Sequence, residues 1–131
     1  MKSRPKQVYL AVPYSHKKDK IKRKRFRIVN EVAATLFKKG LWVFSPISHT
    51  HPIKICGEMS GDWNYWAAYD EFNLSHCDYL YVLMLRGWEK SVGVRGEIEY
   101  ATQNEIPIEY INYNRETKEI DFWIDPYLLT H

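Results

Sequence analysis

Residues Asp78 to Leu85 read DYLYVLML, a nearly unbroken apolar run. A run this short has the length of a strand rather than of a helix. Being apolar at almost every position, it suits a parallel strand covered on both faces, and we place it at the centre of a sheet. Upstream, Gln7 to Pro13 (QVYLAVP) has the same character, and Leu41 to Phe44 (LWVF) forms another strand. Downstream, Ile106 to Ile111 is a fourth strand and Glu119 to Ile124 a fifth element at the edge.

Helical patterns separate these strands. From about Lys17 to Lys39, the residues Phe26, Val29, Val32, Ala33, Leu36 and Phe37 recur at three- and four-residue steps. Lys38, Lys39 and Gly40 then give cations in the last turn and a glycine stop. Trp63 to Cys77 reads as the second helix, and Gly93 to Asn104, with Val94, Ile98 and Ala101 inward, as the third. Ser45 to Asp62 carries Pro46, Pro52, Gly57 and Gly61 and is expected to be a long irregular loop. Arg86 to Ser91 is a short one. Strands alternating with helices imply an α/β fold, a Rossmann-like or flavodoxin-like parallel sheet of about five strands with helices on both faces. Ligands of such sheets bind beyond the carboxyl ends of the strands, where strand order reverses. Pro13 to His16, Ser45 to Asp62 and Arg86 to Gly93 are the loops at those ends.

The 131 residues form one domain, residues 1–131, with no repeat or linker. The net charge of +3 selects no partner, but eight bases crowd Lys17 to Arg27 against the single acid Asp19, a block that can face phosphate. The 10 Tyr, 5 Trp and 5 Phe supply a core and also surfaces for a flat ligand such as a nucleobase. Two cysteines, no apolar stretch in MKSRPKQ before the first strand and no run long enough to span a bilayer give the expectation of a cytoplasmic protein with reduced thiols, not bound to a membrane.

Two acids stand out. Glu97 lies near the start of the third helix, where the helix dipole is expected to favour its ionised form, the state a carboxylate nucleophile needs. A surface acid that merely benefits from the dipole is the plainer alternative. Asp70 interrupts the stripe Trp63, Trp66, Leu74, Cys77, so it is desolvated unless paired. It is either bonded to backbone donors or exchanges a proton with a leaving group. Two such carboxylates suit glycosidic chemistry, in which positive charge builds on the sugar. Ser91 caps the third helix and, with the free N–H groups near Gly93, can receive an anion. His49 and His51, two residues apart with no third ligand in reach, do not make a metal site by spacing, and His49 is read as facing a ligand's phosphate. Tyr9 and Tyr14 flank the first loop, where either hydroxyl could hold a carboxylate or a sugar. Trp88 could stack on a base or cover the core edge.

These residues also match a family. Val8-Tyr9-Leu10-Ala11-x-Pro13-Tyr14, Cys77-Asp78 with the strand behind it, and Ser91-Val92-Gly93-Val94-Arg95-Gly96-Glu97-Ile98-Glu99-Tyr100-Ala101 resemble the nucleoside 2-deoxyribosyltransferase superfamily over roughly residues 7–111. The resemblance implies that Glu97 attacks or stabilises the anomeric carbon, that Asp70 assists proton transfer or holds the sugar, and that Tyr9 positions Glu97. Serine at position 91, with Ser15, His49 and the basic helix, resembles the branch acting on 2'-deoxynucleoside 5'-monophosphates. The first loop, Val12-Pro13-Tyr14-Ser15, departs from the glycine-rich loop of those hydrolases.

The expectation is an enzyme that cleaves or transfers the N-glycosidic bond of a nucleoside or nucleotide without metal or organic cofactor. The alternatives are a catalytically silent nucleotide-binding module and, less favoured, a nucleic-acid-binding protein using the basic helix. The resemblance also implies a homo-oligomer, to whose interface the segment Phe122-Trp123-Ile124-Asp125-Pro126-Tyr127 could belong.

Overall fold

A computed structural model describes residues 3–124, so residues 125–127 of the candidate interface segment lie outside the described residues. Five strands form one sheet: β1 Gln7–Ala11, β2 Trp42–Phe44, β3 Tyr79–Leu83, β4 Ile108–Asn114 and β5 Glu119–Phe122. Their order is β2-β1-β3-β4-β5. The first four are parallel, and β5 returns antiparallel along β4. This is the α/β sheet expected from the alternation of patterns, with β3 at its centre.

The helices are α1 Asp19–Lys38, α2 Pro46–Gly57, α3 Trp63–Leu74 and α4 Val92–Gln103. The period-2 alternation of β1 divides the core between the two faces of the sheet. Val8, Leu10 and Val12 pack with Val29, Val32 and Leu36 of α1. Tyr9 and Ala11 point the other way, among Leu74 of α3 and Val94 and Ala101 of α4. Tyr9 is thereby delivered to the α3–α4 side.

One expected loop is a helix. Pro46 to Gly57 forms α2 despite its two prolines. Pro46 sits in the first turn, where its missing N–H costs nothing. The buried face of α2 consists of Pro46, Thr50, His51 and Lys54, at helical spacing but polar, so hydrophobic periodicity has nothing to register. Among the described residues, no helix is long and apolar enough to cross a membrane.

Candidate active site

From β1 the chain leaves towards β2 through α1, and from β3 it leaves in the opposite direction, through α4 to β4. The carboxyl ends of β1 and β3 therefore diverge, leaving the crevice in which doubly wound sheets bind ligands. A cleft of about 450 Å³ opens there. Val12, Tyr14 and Ser15 reach it from β1, Lys54 from α2, Trp63, Trp66 and Asp70 from α3, and Ser91, Gly93 and Glu97 from the start of α4.

Arg25 ties the two sides of this crevice together. Its guanidinium donates to the carbonyl oxygens of Ser15 (3.1 Å) and Arg86 (3.2 Å), one in each diverging loop. Part of the basic block thus fixes the mouth of the cleft rather than facing a ligand.

Two helix starts shape the walls. Asp62 caps α3 by accepting from the Asn64 N–H, and the Ser91 hydroxyl caps α4 by accepting from the Val94 N–H at 3.2 Å. The helices then pack closely at Gly96. A Cβ there would lie 2.6 Å from the Trp63 indole, so only glycine lets α4 approach this wall of the cleft.

Glu97 and Asp70 are both buried, at 5% and 9% exposure. Burial pushes the Glu97 carboxyl up to about 8, and the nearby charge of Asp70 adds to the effect. Burial also raises Asp70, to about 6, although the Lys54 ammonium pulls it back. Burial therefore opposes the ionised form that the α4 dipole is expected to favour. Glu97 lies in the second turn, beyond the free N–H groups that carry the dipole's effect, and loss of solvent dominates. Tyr9 is completely buried behind it. The Tyr9 hydroxyl is near enough for each group to shift the other, but no hydrogen bond of normal geometry joins them, and the hydroxyl has no partner among the described residues.

Tyr14 reaches the cleft, but its hydroxyl is engaged 2.5 Å from Nδ1 of His51, whose ring stacks on Phe26. Burial depresses the imidazole pKa and so favours the neutral ring, which shares one hydrogen bond with the phenol. Ser15, Ser91 and Gly93 line the cleft as expected. His49 and Trp88 do not. His49 is exposed on the far side of α2, over a groove with Phe37 and Tyr69, because the buried face of that helix turns His51 inward instead. Trp88 packs on Tyr110, with ring centroids 5.5 Å apart, and covers the core edge. Sequence reasoning missed Lys54, Trp63 and Trp66 as cleft residues. The glycine at 96 was the available signal for Trp63, whereas the polar face of α2 hid Lys54. Among the described residues, no three His, Cys, Asp or Glu side chains are grouped to hold a metal ion.

A family model described as Domain of unknown function (DUF1937) matches residues 6–112, from β1 through most of β4. No curated protein matches the chain.

Proposed function

The chain belongs to the DUF1937 family, and because that description names no activity we propose one from the site: cleavage or transfer of an N-glycosidic bond in a nucleoside or nucleoside 5'-monophosphate. The observation that carries this reading is the pair of buried carboxylates, Glu97 and Asp70, facing one cleft at the sheet's switch point, with a buried hydroxyl behind Glu97. The resemblance of the segments around Tyr9, Asp78 and Ser91 to Ala101 to the nucleoside 2-deoxyribosyltransferase superfamily supports it.

In this mechanism the ionised Glu97 attacks the anomeric carbon. The carbon–nitrogen bond breaks, and its electron pair leaves with the base, which gains a proton. Asp70 handles that proton or holds the sugar. Water or a second base then opens the glycosyl ester and frees Glu97. Trp63 and Trp66 offer flat walls for the base, and Ser91 with the N–H groups around Gly93 can receive a phosphate. No metal or organic cofactor has a step to perform. A cytoplasmic setting and a homo-oligomeric assembly belong to the same proposal, the latter consistent with Tyr65, Tyr69 and Phe72 exposed along α3.

The test is chromatographic detection of free base after incubating wild type and Glu97→Ala with ribo- and deoxynucleosides and their 5'-monophosphates, with and without an acceptor base. Base release by wild type, reduced at least about a thousandfold in the variant, is expected. No turnover across the panel sinks the enzyme reading and leaves a nucleotide-binding module.

The order of the two pKa values favours a second assignment. At neutral pH the proton of the pair resides mainly on Glu97 and Asp70 is ionised. Glu97 would then be the proton donor to the base, and Asp70 would stabilise the cationic sugar. The pH dependence of kcat/KM separates the two, since it reports the free enzyme. A nucleophilic Glu97 gives a rate that climbs as pH rises through about 8. A proton-donating Glu97 gives a rate that falls there.

A further inference from the structure

Lys54 lies on the inner face of α2 and is 8% exposed. Its ammonium sits 4.7 Å from the centre of the Tyr14 ring and 5.0 Å from that of Trp66. Tyr14 is held in this position by its hydrogen bond to His51. Trp66 is held by its indole N–H, which donates to the Ser60 carbonyl at 2.6 Å. The seat is therefore built from side chains that are themselves fixed.

Two aromatic faces stabilise an ammonium by roughly 0.5–2 kcal/mol each but leave its three N–H donors unused. Lys54 forms no ion pair among the described residues, whose ion pairs lie at Asp78, Asp19 and Glu31. Asp70 is within electrostatic reach but not in contact. Lys22 of α1 also acts on this ammonium, and the cleft lining holds Lys90 as a second base beside the acids Asp62, Asp70 and Glu97. The side chain is buried, but the ammonium itself is open to the cleft and has no partner among the described residues. Lys54 lines the cleft, so a ligand can supply what the protein does not.

We propose that Lys54 is an anion-binding residue of the cleft and that the group it receives is a phosphate. A charged group with several acceptor oxygens matches an ammonium whose N–H donors are all free. The source is either the substrate's own 5'-phosphate or free inorganic phosphate. The first rests on the nucleotide reading given above, and the second does not.

Calorimetric titration tests this with 2'-deoxynucleoside 5'-monophosphates, the matched nucleosides and inorganic phosphate, on wild type, Lys54→Met and Lys54→Arg. Wild type is expected to bind a monophosphate at least about tenfold tighter than its nucleoside. Lys54→Met should erase that margin without weakening the nucleoside, and Lys54→Arg should keep part of it. Inorganic phosphate binding alone, and lost in Lys54→Met, supports the site with free phosphate as its source. A margin that survives in Lys54→Met overturns the proposal, as does wild type binding no phosphate compound. Acetylation of Lys54 in the wild type, followed by mass spectrometry, gives a readout independent of how the variants fold. Protection by monophosphate or phosphate and not by nucleoside supports the site, and equal labelling in all samples overturns it. Base release with an unchanged margin would sink only this inference. Lys54-dependent phosphate binding without base release would sink only the glycosidic reading.

Discussion

The hydroxyl of Tyr9 is sealed under the cleft with no hydrogen-bond partner among the described residues. An unpaired buried hydroxyl costs about 1–3 kcal/mol, so a residue chosen for packing alone would be phenylalanine. The neighbouring Glu97 gives it a use. When that carboxyl ionises, the phenol can donate to it, and this opposes part of the burial effect that raises Glu97. Tyr9→Phe separates the two roles. The melting temperature should hold or rise, because the unpaired group is gone and the ring still fills its place beside Phe44. Base release should fall by about ten- to a hundredfold, because the ionised Glu97 loses its donor. Loss of stability with unchanged turnover would make Tyr9 a packing residue only. Glu97, Asp70 and Tyr9 were all legible in the sequence, since each breaks a local pattern or carries the resemblance. Their protonation was not, because it depends on how completely packing removes water.

Among the elements, α1 and α4 announce themselves by apolar periodicity and the central strands by short apolar runs, whereas α2 shows neither. Its inward positions are Pro46, Thr50, His51 and Lys54, so the face that would identify a helix by its apolar residues is the one turned over to the cleft and to Tyr14. Pro52 and Gly57 then make the same stretch look like a loop. The misreading of this segment and the missed Lys54 have one cause. The contact of α3 with α4 shows the opposite case, in which one glycine signals a close approach. Gly96→Ala puts a methyl within 2.6–2.9 Å of the Trp63 indole. The indole must shift or the helices must part, which should cost about 1–3 kcal/mol in thermal unfolding. Because Trp63 is a cleft wall, ligand affinity should weaken in the same variant. An Ala variant with native stability and native affinity would show that the two helices do not need this contact.

For the whole molecule, the site opposes the stability of the fold that holds it, and pH exposes this. Glu97 rises from its usual 4.5 to about 8 and Asp70 from 3.8 to about 6 on folding. Between the unfolded and folded values the native state holds protons that the unfolded chain has released. Stability therefore falls as pH rises through those windows. Other groups act in the opposite sense. Asp78, held to about 2 by Arg4 and the Gln7 N–H, adds stability as pH rises towards 3.8. His51, whose pKa burial lowers, adds stability as pH rises towards 6.5. Above 6.5 the Asp78 contribution is complete, those of His51 and Asp70 run out within about a unit and in opposite directions, and the largest remaining difference between native and unfolded chains up to pH 8 is that of Glu97. Calorimetric melting of the wild type should therefore show a lower melting temperature at pH 8 than at pH 6.5. Glu97→Gln keeps the shape of the side chain and removes its charge, so its melting temperature should change little over that interval and exceed the wild type's most at pH 8. A wild-type melting temperature that holds or climbs from pH 6.5 to 8 would mean that Glu97 is already ionised in the folded protein. The helix-dipole expectation would then be restored, together with a nucleophile ready at neutral pH.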